Sequence, residues 1–105
     1  MSVDGCWWLY LLECADGRTY VGIAKSVEKR FRMHAAGRGS VFTRINRPVA
    51  ILGARPYPTR REAAIAERTL KRLSGTEKRA WGERWRWQHE TRLLLGGGPM
   101  SLHNP

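Results

Sequence analysis

Two short apolar, aromatic-rich stretches constrain this chain most. Trp7 to Cys14 is an aromatic and aliphatic run with the composition of a mostly buried strand. Thr19 to Ile23 resumes the same chemistry, and Asp16-Gly17 between them is a turn signal. A β-hairpin is the economical reading, and its loop length decides what the hairpin presents. A strict two-residue loop pairs Tyr10 with Ile23 and sends Tyr20 to the opposite face. A three-residue loop, Ala15-Asp16-Gly17 with Gly17 left-handed, pairs residues of equal parity and puts both tyrosines on one face. The odd loop, or a bulge with the same effect, is the expectation.

Helical signals follow. Ser26 caps a helix running to about Ala36, with Val27, Phe31 and Ala35 as its apolar stripe and Arg30 and His34 beside that stripe. Gly37-Arg38-Gly39-Ser40 ends it and opens a flexible basic loop through Pro48. Val49 to Ala54 is a third strand. Thr59-Arg60-Arg61-Glu62 is a capping box that starts a helix to Leu73, its core stripe being Ala63, Ala66, Leu70 and Leu73. Thr76 caps a last helix from Glu77 to about Trp87, and no internal repeat is present. The order β-β-α-β-α-α predicts an α+β fold, an α/β sandwich with a small three-stranded antiparallel sheet flanked by helices. Residues 1–87 form one domain, and 88–105 are an extension expected to fray from Gly96.

Length and charge narrow the function. A chain of 105 residues fits one domain with a modest core. Its 19 lysines and arginines against 9 acidic residues give a formal charge of +10, with arginine dominating. Arginine suits bidentate phosphate contacts, so a polyanion is the expected partner. The longest apolar run, Cys6 to Leu12, is too short to span a membrane, and no secretory signal pattern opens the chain. Cys6 and Cys14, on one extended strand, would stand about 26 Å apart, too far for a disulfide. They read as thiols in a reducing compartment, and the expected address is the cytoplasm. His34, His89 and His103 are scattered, so no zinc spacing is present.

The candidate chemistry is phosphodiester hydrolysis, which needs a deprotonated water, a cation for developing oxyanion charge and usually a metal. Tyr10 or Tyr20, beside a metal-bound water and other cations, can become acidic enough to act as the base. Arg30 can neutralise the phosphate. Glu67 offers a hard oxygen of the kind Mg²⁺ accepts. Each residue also has a plain structural role: half-buried strand tyrosines, a solvated arginine, a packing imidazole at His34, and Glu67 paired with Lys71 at i,i+4. Taken together, the constellation favours a site.

Trp8-Leu9-Tyr10, Tyr20-Val21-Gly22, Arg30, His34 and Glu67 together resemble the GIY-YIG endonuclease family, in its small stand-alone bacterial branch, over roughly residues 7–75. By this resemblance Tyr10 takes the place of the first-motif tyrosine, a general base or water positioner. Tyr20 takes that of the second-motif tyrosine, and Gly22 that of the close-packed glycine. Arg30 matches the catalytic arginine, His34 the histidine one turn later, and Glu67 the single metal carboxylate, for Mg²⁺ with Mn²⁺ able to substitute. Thr43-Arg44 matches a loop pair expected to touch the DNA backbone, joined by Lys25, Arg38, Arg47 and Lys71 as nucleic-acid contacts. Two departures count. The first motif is Trp-Leu-Tyr, and Ile23 stands where many members carry a lysine, with Lys25 two residues further on. The late asparagine of the family has no counterpart.

The resemblance implies a Mg²⁺-dependent DNA endonuclease, structure-dependent and acting in DNA repair or processing. Branched, nicked or single-stranded DNA is the candidate substrate, and the protein is expected to be a monomer or weak dimer with no membrane partner. The alternatives are a non-catalytic nucleic-acid-binding module and a protein-docking domain. The docking domain would use Trp81, Trp85 and Trp87, for which packing onto the domain is the favoured role.

Overall fold

The computed structural model describes residues 5–87. The extension 88–105, with its expected fraying from Gly96, lies outside the described residues. The elements are β1 (Trp7–Cys14), β2 (Thr19–Ala24), α1 (Val27–Ala35), α2 (Val41–Ile45), β3 (Pro48–Tyr57), α3 (Arg60–Lys71) and α4 (Gly75–Arg84). The sheet is antiparallel throughout with order β2-β1-β3, so β1 is central.

The hairpin loop is Ala15-Asp16-Gly17. Glu13 pairs with Thr19, and the Cys14 amide donates to the Arg18 carbonyl at 2.8 Å. Gly17 takes φ 91°, a backbone region that L side chains rarely adopt. Three residues in the loop give pairs of equal parity: Tyr10 opposite Gly22 and Leu12 opposite Tyr20. Both tyrosines therefore lie on one face of the sheet.

Each face of β1 has its own core, which is why Leu9, Tyr10, Leu11 and Leu12 are consecutively buried. Tyr10, Leu12 and Ala24 pack with Val27, Phe31, Ala54 and Trp87 beneath α1. Leu9, Leu11 and Val21 pack with Ala66, Leu70, Leu73 and Trp81 beneath α3 and α4. The two helical layers make a sandwich with the sheet between them.

Helix starts follow their caps. The Ser26 side chain accepts from the Lys29 amide, and the Thr59 hydroxyl from the Glu62 amide. The last helix begins earlier than Thr76: Ser74 is its cap, and Ser74 and Glu77 form a reciprocal capping box. That helix ends at Arg84, and its exit returns to the sheet. The Ala54 amide donates to the Trp85 carbonyl at 2.9 Å, and Gly53 bridges to Arg86. β3 also runs longer than Val49–Ala54. Pro48 and Pro56 fall on an edge strand, where proline is tolerated, and Pro48 is also the strand's first residue. The basic stretch expected to be a loop contains α2, capped by Ser40, whose hydroxyl accepts from the Thr43 amide at 3.2 Å. Cys6 and Cys14 are both free thiols.

Candidate active site

The site is built on the pairing of Tyr10 with Gly22. A Cβ at position 22 would sit 2.3 Å from the Tyr10 hydroxyl oxygen, so only glycine lets the phenol lie across β2. There the hydroxyl meets His34 of α1, with the oxygen 3.1 Å from Nε2. The Tyr20 ring centre is 6.5 Å from that of Tyr10 and 4.9 Å from that of His34, and Tyr20 also stacks on Phe42 of α2. Three rings from β1, β2 and α1 thus converge, backed by a fourth from α2.

The charges around them come from two helices. Arg30, one turn before His34 on α1, is half-buried and lies against the Tyr10 phenol. Glu67 of α3 is close enough to act electrostatically on Tyr10, and its carboxylate pairs with the Lys71 ammonium at 3.4 Å. Burial pushes the Tyr10 phenol well above its ordinary value. The neighbouring Tyr20 adds to the rise, Arg30 opposes it, and Glu67 raises it slightly further. His34 is shifted downward, first by burial and then by Arg30, so its imidazole is neutral at neutral pH. Both shifts suppress charge on the buried pair.

Tyr10, Tyr20, Arg30, His34 and Gly22 are brought together, with Glu67 at the margin. The expected phosphate contacts divide. Lys25, Arg38, Arg44 and Lys71 are exposed, Lys25 over the Trp7 ring at 5.7 Å. Arg47 is exposed too, but its guanidinium donates to the Arg44 and Ala35 carbonyls, each at 2.9 Å, and so holds the loop together. Thr43 does not offer the expected backbone contact: its side chain is fully buried and its hydroxyl is spent on His34 Nδ1 at 2.6 Å. Ser40 and Phe42 are members of the site's wall that the sequence reading passed over. Ser40, three residues before Thr43, carried a cap signal that could have found α2. The Trp-rich segment packs as favoured: Trp81 joins the core under α4, Trp87 meets Trp8 edge-on at 5.6 Å, and Arg55 stacks on Trp85. The open groove lined by Phe31, Val49, Ile51 and Trp87 shares no residue with the tyrosine cluster.

A divalent cation would find one carboxylate here. Among the described residues no group of three or more His, Cys, Asp or Glu side chains converges as a metal cage. Glu67 fits an ion that keeps most of its water and takes the rest of its shell from substrate phosphate, as Mg²⁺ does.

The family model for the GIY-YIG catalytic domain matches residues 6–80, a span that takes in every residue of the cluster. The chain belongs to the GIY-YIG family. It is 46% identical over 81 residues to a UPF0213 protein of Cupriavidus necator, covering 77% of this chain and 88% of that protein. A UPF0213 protein of Xanthomonas axonopodis pv. citri is 48% identical over 75 residues, covering 71% of this chain and 74% of that one. The solution NMR structure of a UPF0213 protein from Bacillus halodurans aligns at 32% identity over 90% of this chain and 88% of that one, with a TM-score of 0.41. GIY-YIG is a nuclease family. No helix among the described residues is long and apolar enough to cross a membrane.

Proposed function

We propose that this protein is a Mg²⁺-dependent DNA endonuclease that hydrolyses phosphodiester bonds in branched, nicked or single-stranded DNA during repair or processing. The observation that carries the reading is the hydrogen bond between the buried Tyr10 phenol and a neutral His34, set beside Arg30 and within the field of Glu67. A structural tyrosine needs an acceptor, but it does not need a cation and a carboxylate as well.

Tyr10 rests protonated, since burial holds its proton on. It becomes a base only by relay. The attacking water's proton moves to the phenol oxygen as that oxygen's own proton moves to Nε2 of His34. Nε2 is competent to receive it because burial and Arg30 keep the imidazole neutral. Arg30, beside Tyr10, neutralises the charge that builds on the phosphate, an effect commonly worth ~10²–10³ in rate for one stabilising group. Tyr20, wedged between His34 and Phe42, fixes the wall against which the substrate docks. Glu67 would hold the divalent ion, Mg²⁺ or Mn²⁺, which supplies charge stabilisation when bound. The exposed Arg38, Arg44, Lys25 and Lys71 give phosphate contacts around the cluster.

The test is cleavage of single-stranded, nicked, flap and branched DNA by the purified protein, with Mg²⁺, with Mn²⁺ and with chelator. Cleavage that needs the ion, and is lost in Arg30→Ala and Glu67→Ala variants of parental stability, is the expected result. Glu67→Ala cutting as fast as the parent would overturn the metal assignment. A parent that binds DNA but cuts none of these forms would leave a binding module in place of an enzyme.

A further inference from the structure

Thr43 is a fully buried polar residue in a basic segment whose Arg38, Arg44 and Arg47 are exposed. Its hydroxyl lies 2.6 Å from His34 Nδ1, 3.1 Å from the Ser40 hydroxyl and 3.2 Å from the Ser40 carbonyl. His34 is therefore held at both ring nitrogens, by Thr43 at Nδ1 and by Tyr10 at Nε2. A neutral imidazole carries one proton, so one of these contacts must be a donation and the other an acceptance.

Tyr10 decides which. Its hydroxyl is buried, and a buried phenol proton needs an acceptor. Its partners among the described residues are His34 Nε2 and the Arg30 guanidinium. A guanidinium only donates. With the Thr43 oxygen beside Nδ1 to accept the imidazole proton, the phenol proton goes to Nε2, which is left bare. Nδ1–H then donates to the Thr43 oxygen, and the Thr43 proton goes on to Ser40. The loop between the two helices lies close against the ring on this side. A Cβ at Gly39 would stand 1.9 Å from Nδ1, so the backbone of the α1–α2 loop closes directly on the imidazole.

We infer that Thr43 is a positioning residue, whose hydroxyl fixes His34 in the Nδ1–H tautomer so that Nε2 faces Tyr10 as a proton acceptor. The short helix α2, capped by Ser40, exists to bring that oxygen under the ring. Thr43 acts through His34 and touches no substrate. The inference deepens the nuclease reading, since the tautomer matters for the relay from Tyr10.

Long-range ¹H–¹⁵N correlation of the His34 ring reads the tautomer directly in the full chain, whether or not the protein cuts DNA. The parent should show Nδ1 protonated and Nε2 bare. Thr43→Val leaves an Nδ1 proton without its acceptor, so the ring should shift toward the Nε2–H form, which would donate to Tyr10 instead of accepting from it. With cleavage measured on the best DNA form, Thr43→Val should lower kcat by about tenfold or more, up to the ~10²–10⁴ that positioned proton transfer supplies in full. KM should stay as in the parent, and Thr43→Ser should restore both tautomer and rate. A parent ring protonated at Nε2 overturns the inference, as does a Thr43→Val protein that keeps the Nδ1–H ring or the parental kcat. Should Thr43→Val fail to fold, the parent and Thr43→Ser tautomers decide alone. A parent with the expected tautomer and no cleavage would sink the nuclease reading and leave the positioning of His34 standing.

Discussion

Replacing Gly22 with alanine tests the geometry on which the whole cluster rests. The new Cβ would lie 2.3 Å from the Tyr10 oxygen and 2.5 Å from Cζ, where ordinary contact begins at 3.4 Å. The phenol must give way by roughly 1 Å to reach a normal separation. It has little room to do so, because Tyr10 is only 1% exposed and packs among Leu12, Ala24, Val27 and Ala54. Overpacking of this kind costs about 1–3 kcal/mol. A shift of that size also stretches the 3.1 Å bond to His34 beyond useful length, at a further net ~0.5–1.5 kcal/mol. The expected loss of stability is about 2–4 kcal/mol, a large part of what a domain of this size possesses. Urea unfolding followed by circular dichroism measures it. Gly75→Ala supplies the contrast: nothing lies within 4 Å of its Cβ position at the start of α4. That change should be neutral or stabilising by about 0.4–1 kcal/mol. If Gly22→Ala unfolds with the parent, the close approach of Tyr10 to β2 is wrong, and the site built on it falls too.

Two further outcomes follow from the charges. His34 in the folded protein protonates below the 6.5 of a free imidazole. Its contribution to stability is complete above 6.5, declines as the pH falls from 6.5 toward the folded value, and then levels off. His34→Gln should remove that decline, so parent and variant unfolding midpoints should converge on acidification through this window; a constant difference would show that His34 is not held neutral. Binding to DNA should be nearly independent of sequence and weaken steeply with salt, each neutralised phosphate adding ~0.9 to the log–log slope on duplex DNA. Affinities on two unrelated sequences across a salt series measure this, and a flat response would point away from the exposed arginines of the 38–47 segment.

Much of the fold could be read from local signals. The Ala15-Asp16-Gly17 loop was legible because an L residue rarely takes the conformation of Gly17, and the loop's odd length carries the parity that unites the tyrosines. The start of α4 was misread because Ser74 and Thr76 are both good caps. Glu77 decides between them, standing three residues after Ser74 and only one after Thr76. Helix α2 had little local signature. It is five residues long, its β-branched Val41 and Ile45 face solvent, and glycines precede it. Helices this short gain little from propensity. What holds α2 is tertiary: Phe42 on Tyr20 and Thr43 on His34.

The same distinction explains why the convergence of these side chains was legible and their chemical state was not. Spacing can place Arg30 and His34 one turn apart, but no spacing says that Thr43 is buried beside the ring or that the Tyr10 ring is buried. Those burials determine the protonation of the pair. The folded protein raises the phenol's pKa and lowers the imidazole's, so the neutral pair is the resting state and the tyrosinate–imidazolium pair lies above it. Separating those charges in a buried site is costly unless another charge compensates. Arg30 alone does not suffice: it favours the phenolate but opposes the imidazolium. On the proposed reading the relay avoids the tyrosinate, because Tyr10 takes the water's proton as it passes its own to Nε2, and a phosphate docked at Arg30 screens that guanidinium from His34 and makes the imidazolium easier to form. On the proposed reading, Tyr10 is thus an inert phenol in the free protein and becomes a base only when a phosphodiester is in place, which keeps a small, strongly basic nuclease from activating water without its substrate.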